Sequence, residues 1–200
     1  MRRLLLALPF ALLPLTIAHA AAAAQEVEHA SLGAHEHGTA RLNAALDDGT
    51  LELELDSPAM NLVGFEHPAT SDADKAAVSN VRHLLEQPLT LFAVPASAQC
   101  IVAKQTLNSP LFGDKPDADE HDHDEDADEH AADGAEHHHD HSEIHARYQF
   151  QCDNAAALKT LDLSQLFKTF PATHKVQVQL IAPNGQEGVD ATPDNSVLTY

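Results

Sequence analysis

Residues 51–55 read Leu-Glu-Leu-Glu-Leu, an alternation of apolar and charged side chains with the period of a strand that buries one face. Thr39 to Leu46 precedes it. The intervening Asp47-Asp48-Gly49-Thr50 is a turn signal, so the pattern predicts a β-hairpin from Thr39 to Asp56. From Ser71 to Gln87 the period changes. Ala76, Ala77, Val81, Leu84 and Leu85 recur at helical spacing, Ser71 or Asp72 can cap the start, and Gln87-Pro88 ends the run. Gln99 to Leu107 reads as a strand. So does Glu143 to Cys152, with Ile144, Ala146, Tyr148, Phe150 and Cys152 on one face and His145, Arg147, Gln149 and Gln151 on the other. Leu158 to Phe170 supports a short helix around Leu163, Leu166 and Phe167. Lys175 to Ile181 is a strand, Asn184-Gly185 a hairpin turn, and an extended piece runs on to Tyr200. Ser57 to Phe65 reads as a structured loop. The expected class is α+β, a mostly antiparallel sheet with about two helices.

Two stretches break this pattern. Residues 1–20 read as a secretory signal: Arg2 and Arg3 are cationic, Leu4 to Ile17 is an apolar run of 14 residues, and Ala18-His19-Ala20 offers a cleavage site, with later cleavage up to Ala24 as the alternative. That run falls short of the roughly 20 residues a membrane span needs. The second break, residues 114–142, is a His/Asp/Glu-rich insert. Counted from Asp114 to His145, 32 residues hold eight His (His121, His123, His130, His137, His138, His139, His141 and His145) and fourteen Asp or Glu, with Lys115 the one base before the strand resumes. Too few apolar groups are present to offset the entropy of ordering it, so the expectation is one long disordered loop within a single domain, residues 21–200.

The chemistry follows from these residue types. Imidazole nitrogen suits zinc, copper and nickel, while carboxylates add charge and oxygen donors. Close spacings such as His121-x-His123 and His137 to His141 let several donors reach one ion without long chain closures. A plain acidic spacer would not need the histidines. The whole chain has a formal charge of −20, which repels phosphate backbones and argues against nucleic-acid partners. It attracts cations. Export would put Cys100 and Cys152 in an oxidising space, where two cysteines form a disulfide, and oxidation would compete with thiolate ligation of zinc. Outside the insert, His35 and His37 flank Glu36 and point the same way on an extended chain, His29 can reach the same ion through a turn, and Glu66-His67 can add further donors. His83 and His174 read as ordinary surface or core residues.

Together these residues resemble a known family. The order is a signal peptide, Ala34-His-Glu-His-Gly38, Ser57-Pro-Ala-Met-Asn-Leu-Val-Gly-Phe-Glu-His67, Ala98-x-Cys100, the insert, Tyr148-x-Phe-x-Cys152 and a closing strand pair around Pro183-Asn184-Gly185. It is similar to the ZrgA-type periplasmic zinc-binding proteins. The resemblance implies Zn²⁺ binding in the periplasm, expression linked to zinc limitation and support of high-affinity zinc import, with a zinc ABC importer or its receptor as partner. It specifies no ligand set. Three other functions are less well supported by the residues. The substrate receptor of a metal ABC importer is usually larger and two-lobed. Copper or nickel handling is open on ligand type, although only Met1 and Met60 could supply thioethers. A zinc hydrolase lacks support, since neither His-Glu-x-x-His nor Gly-x-Ser-x-Gly occurs. The expectation is a binding protein that neither inserts in a membrane nor catalyses.

Overall fold

The structure, a computed structural model, describes residues 36–114 and 142–200. The proposed signal segment and the insert between Asp114 and Ser142 lie outside the described residues. The alternating run becomes β2 (Thr50–Pro58), paired antiparallel with β1 (Thr39–Asp47). Asp48 and Gly49 between them both have positive φ, 41° and 87°, the geometry that two-residue hairpins favour. Gly49 meets a second constraint: a Cβ there would lie 2.9 Å from the Cys152 carbonyl oxygen.

β3 (Cys100–Asn108) and β4 (Glu143–Cys152) form the second hairpin, and β4 pairs antiparallel with β2. Cys100 and Cys152 stand opposite each other and are joined as a disulfide. The chain then passes through a short strand β5 (Thr160–Asp162) and a helix to β6 (Lys175–Ala182), which lies parallel to β1. β7 (Gly185–Ala191) folds back on β6, giving a six-stranded sheet in the order β3-β4-β2-β1-β6-β7. A final strand β8 (Val197–Thr199) pairs with β5 in a separate two-stranded sheet. The one parallel pair arises because the β4-to-β6 connection crosses over the sheet with a helix, as parallel neighbours require.

Among the described residues there are four α-helices rather than about two: α1 (Ala59–Leu62), α2 (Asp72–Leu85), α3 (Pro88–Leu91) and α4 (Ser164–Thr169). The helices expected from periodicity are α2 and α4. The other two are single turns, too short to show a helical period. Part of the loop expected at Ser57–Phe65 is therefore strand and helix. The β6–β7 turn is also centred one residue earlier than expected, on Pro183-Asn184, with Gly185 opening β7. At α2 the Ser71 hydroxyl accepts from the Asp74 amide and the Asp74 carboxylate accepts from the Ser71 amide, a reciprocal cap. Those bonds hold the Asp74 carboxyl below its ordinary range.

One sheet face is apolar and covered. Leu42, Leu53, Leu55, Ile144, Phe150 and Val176 are buried there in one core with Leu85, Phe92, Leu163 and Leu166. Tyr148 donates its hydroxyl to the Leu85 carbonyl at 2.9 Å, tying the end of α2 to the sheet, and burial pushes its phenol well above the ordinary range. The other face is mainly polar, because most of the intervening residues of β2, β4 and β6 are charged or amide side chains. Glu52 faces Gln149, Glu54 faces Arg147 and Asp56 faces His145 across β2 and β4. A groove of about 400 Å³ crosses this face, lined in part by Asn43, Glu54, Lys104, Arg147 and Gln179, with no His or Cys in its lining.

Candidate metal centre

The strand register brings the candidate ligands to one end of the sheet. Thr39 is level with Lys175, Pro58 with Glu143, and Asn108 with His145. The insert leaves and re-enters at this end. The disulfide closes the opposite end of the same hairpin, about 25 Å away along β3 at the usual rise per residue.

His37 lies in the turn that feeds β1, and its position depends on Asn61. This α1 side chain is buried, 2% exposed. Its Oδ1 accepts from the Gly38 amide at 2.6 Å, and its Nδ2 donates to the Thr39 carbonyl at 2.9 Å and to Ser57 Oγ at 3.3 Å. Gly38 takes φ +86°, and a Cβ there would lie 3.1 Å from His174 Nδ1. Held this way, His37 places Nε2 3.0 Å from Glu66 Oε1. A carboxylate accepts, so Nε2 carries the hydrogen and Nδ1 keeps the lone pair of the neutral ring. Glu66 also meets the returning insert: its carbonyl accepts from Ser142 Oγ at 3.0 Å, and the Ser142 carbonyl accepts from the Ala59 amide at 2.8 Å. The Ser57–His67 block thus clasps both the entry to β1 and the end of the insert.

His67 stacks on Phe65 at 4.6 Å and sets Nδ1 3.1 Å from the Pro68 carbonyl. A carbonyl can only accept, which leaves Nε2 as the lone-pair nitrogen. His145 lies on β4, in register with Asp56, with Nδ1 2.6 Å from Asp56 Oδ1 and Nε2 3.6 Å from Glu143 Oε2. His145 therefore belongs to the folded sheet. His83 bonds Gln87 on an exposed part of α2.

His174, an ordinary residue by its sequence context, lies beside this region. Its amide donates to the Gly38 carbonyl at 2.7 Å. Nothing local signals this, because it follows from β6 pairing with β1. Among the described residues, no three His, Cys, Asp or Glu side chains are arranged to hold one metal ion. Of the predicted donors, His37 meets Glu66, while His145 meets Asp56 and Glu143, two carboxylates that nothing in the sequence singled out as ligands. His29, His35, His121, His123, His130, His137, His138, His139 and His141 lie outside the described residues.

Replacing Asn61 by Leu, similar in size, should leave the Gly38 amide and the Thr39 carbonyl without their partner. The expected cost is about 2–4 kcal/mol, read from denaturant unfolding. An unchanged midpoint would remove Asn61 as the organiser of the His37 turn.

The class defined by these features is an α+β domain that presents histidine–carboxylate pairs at the sheet end from which a His-rich segment departs. The chain belongs to the ZrgA family of zinc uptake proteins, whose profile matches residues 34–200. The match begins at Ala34 of the Ala-His-Glu-His-Gly motif and spans the described domain and the insert. No curated protein matches the chain. Among the described residues no helix is long and apolar enough to cross a membrane.

Proposed function

We propose that this protein is exported to the periplasm, captures Zn²⁺ there and supports its high-affinity import when zinc is scarce. The observation that carries the reading is the placement of the insert. A segment crowded with imidazoles and carboxylates is spliced between β3 and β4, and its return at Ser142 is bonded to Glu66, the partner of His37. Membership of a zinc uptake family supplies the metal. Zinc is the cargo. The insert collects ions through many alternative donor sets, helped by the field of a strongly acidic chain. The sheet end, with His145 on β4 and His37 in a turn held by Asn61, orders fewer groups on binding and holds an ion at lower entropic cost. An importer or its receptor then takes the ion. No catalytic step belongs to this reading, and residues 1–20 serve as the export signal.

The direct test is calorimetric titration of the purified chain with Zn²⁺ at neutral pH, where uptake of more than one ion is expected and no uptake would end the proposal. In the host, loss of the protein should slow growth in chelator-treated medium, with rescue by added zinc. Binding should also weaken in acid. Zinc needs the neutral ring, and an imidazole of ordinary pKa, about 6.5, is roughly nine-tenths protonated at pH 5.5. Each ligating His then costs about tenfold in affinity between pH 7.5 and 5.5, so a two-His set falls about 100-fold. Equal affinity at the two pH values would exclude histidine ligation.

A further inference from the structure

In the sequence His145 closes the run of insert histidines, yet the structure gives it a setting of its own on β4. Its two ring nitrogens face different carboxylates: Nδ1 lies 2.6 Å from Asp56 Oδ1, and Nε2 lies 3.6 Å from Glu143 Oε2. The first is a hydrogen bond that places a hydrogen on Nδ1, so in the neutral ring the lone pair is on Nε2. The second is longer than a hydrogen bond, and its length has a use. Donors about 2.0–2.2 Å from a tetrahedral zinc ion sit roughly 3.3–3.5 Å from each other. The Nε2-to-Oε2 gap is close to that bite, and a small side-chain rotation closes the difference. His37 and Glu66 differ, because at 3.0 Å the carboxylate already takes the ring hydrogen.

We propose that His145 Nε2 and Glu143 Oε2 form a two-ligand zinc site where the insert joins β4, with Asp56 as the carboxylate that positions the ring. The inference rests on the zinc-capture reading and gives that reading a specific address. Outer carboxylates on a ligating histidine orient it and raise its basicity. Both donors are on one β4 face two residues apart, and Asp56 is fixed opposite by the β2–β4 register. Arg41 stands level with Asp56 on β1, Asn108 level with His145 on β3, and Arg147 follows His145 on the same face of β4. The three side chains are about one-third exposed, which leaves an ion open to water. Two protein ligands leave coordination positions for water or for an exchanging donor, suiting the site to passing zinc on.

The test uses the full chain with ¹⁵N-labelled histidine and Zn²⁺ as the probe, following ring nitrogens by long-range ¹H–¹⁵N correlation at pH 7.5. His145 is assigned from the signals lost in His145→Gln and independently through the β4 backbone, so the experiment survives a poorly folded variant. The expected result is that His145 Nε2 moves to a metal-bound shift as zinc is added, and that Asp56→Asn raises the zinc needed by 10–100-fold. Glu143→Gln should weaken the same response without abolishing shifts at other histidines. If zinc moves other histidines but leaves His145 in place, the inference is overturned and the capture reading stands. If His145 responds to pH alone, as an imidazolium bridging Asp56 and Glu143 would, the site is likewise overturned. If no histidine responds and calorimetry is silent, both fall.

Discussion

Replacing residues 115–141 by a short Gly-Ser linker is expected to strip the protein of most of its zinc capacity while the sheet stays folded. The segment carries seven of the eight histidines counted above and most of the acidic residues around them. At about four ligands per ion, its histidines alone account for roughly two ions, and its carboxylates raise that number. The fold should tolerate the change. β3 and β4 remain in register from Cys100–Cys152 to Asn108–His145 without any residue of the segment. Ser142 keeps its bonds to Ala59 and Glu66, and a shorter connection costs less to close. Metal content after equilibrium dialysis gives the stoichiometry and calorimetry the affinities. A truncated protein that keeps one weak ion fits a division of labour between insert and sheet end. Full capacity after truncation would remove the insert from the function altogether.

The second large effect is on stability. Exchanging Cys100 and Cys152 for Ala should cost about 4 kcal/mol by the loop-closure relation for a separation of 52 residues, within the 2–5 kcal/mol seen when native disulfides are removed. For a domain of this size that is a fall in Tm of roughly 8–16 °C. The link matters here because β3 is an edge strand, paired only with β4 within the sheet. Most of its residues are exposed, including Ile101 at 65%, so it returns little apolar burial for the chain entropy it gives up. Zinc stoichiometry should not change, since the sulfurs are at the far end of the hairpin from the donors. Thermal unfolding and zinc titration of the same double variant separate the two roles. A lost ion with little change in Tm would restore the thiolate-ligation alternative that the disulfide now displaces.

Much of this architecture can be read along the chain. The alternation in Leu51–Leu55 and Ile144–Cys152 identifies β2 and β4 and says which face is buried, because side chains two apart on a strand share a side and apolar ones must leave water together. β4 runs from Glu143 to Cys152 as expected, and Ser71 caps α2 because a hydroxyl three residues ahead of Asp74 can meet its amide within one turn. These are local events, settled by neighbours a few positions away. The single-turn helices α1 and α3 escape the same reading, since four residues show no period.

The candidate ligands divide along the same line. Histidine and carboxylate content, and the crowding of both between two strands, belong to the sequence and already point to a transition-metal cation. Which histidine meets which carboxylate does not. His37 and Glu66 are 29 residues apart, and Asp56 and His145 are 89 apart. Their meeting depends on the order β3-β4-β2-β1-β6-β7 and on its register, as does the arrival of His174 beside Gly38 through the parallel β1–β6 pair. Strands of like pattern can bury their apolar faces in several orders. Only the collapse of the whole set onto one core, with the inner strands paired on both sides, selects among them. The chain alone therefore points to a class of cation through its residue types, and the tertiary structure decided which histidine meets which carboxylate, because those meetings depend on strand order and register.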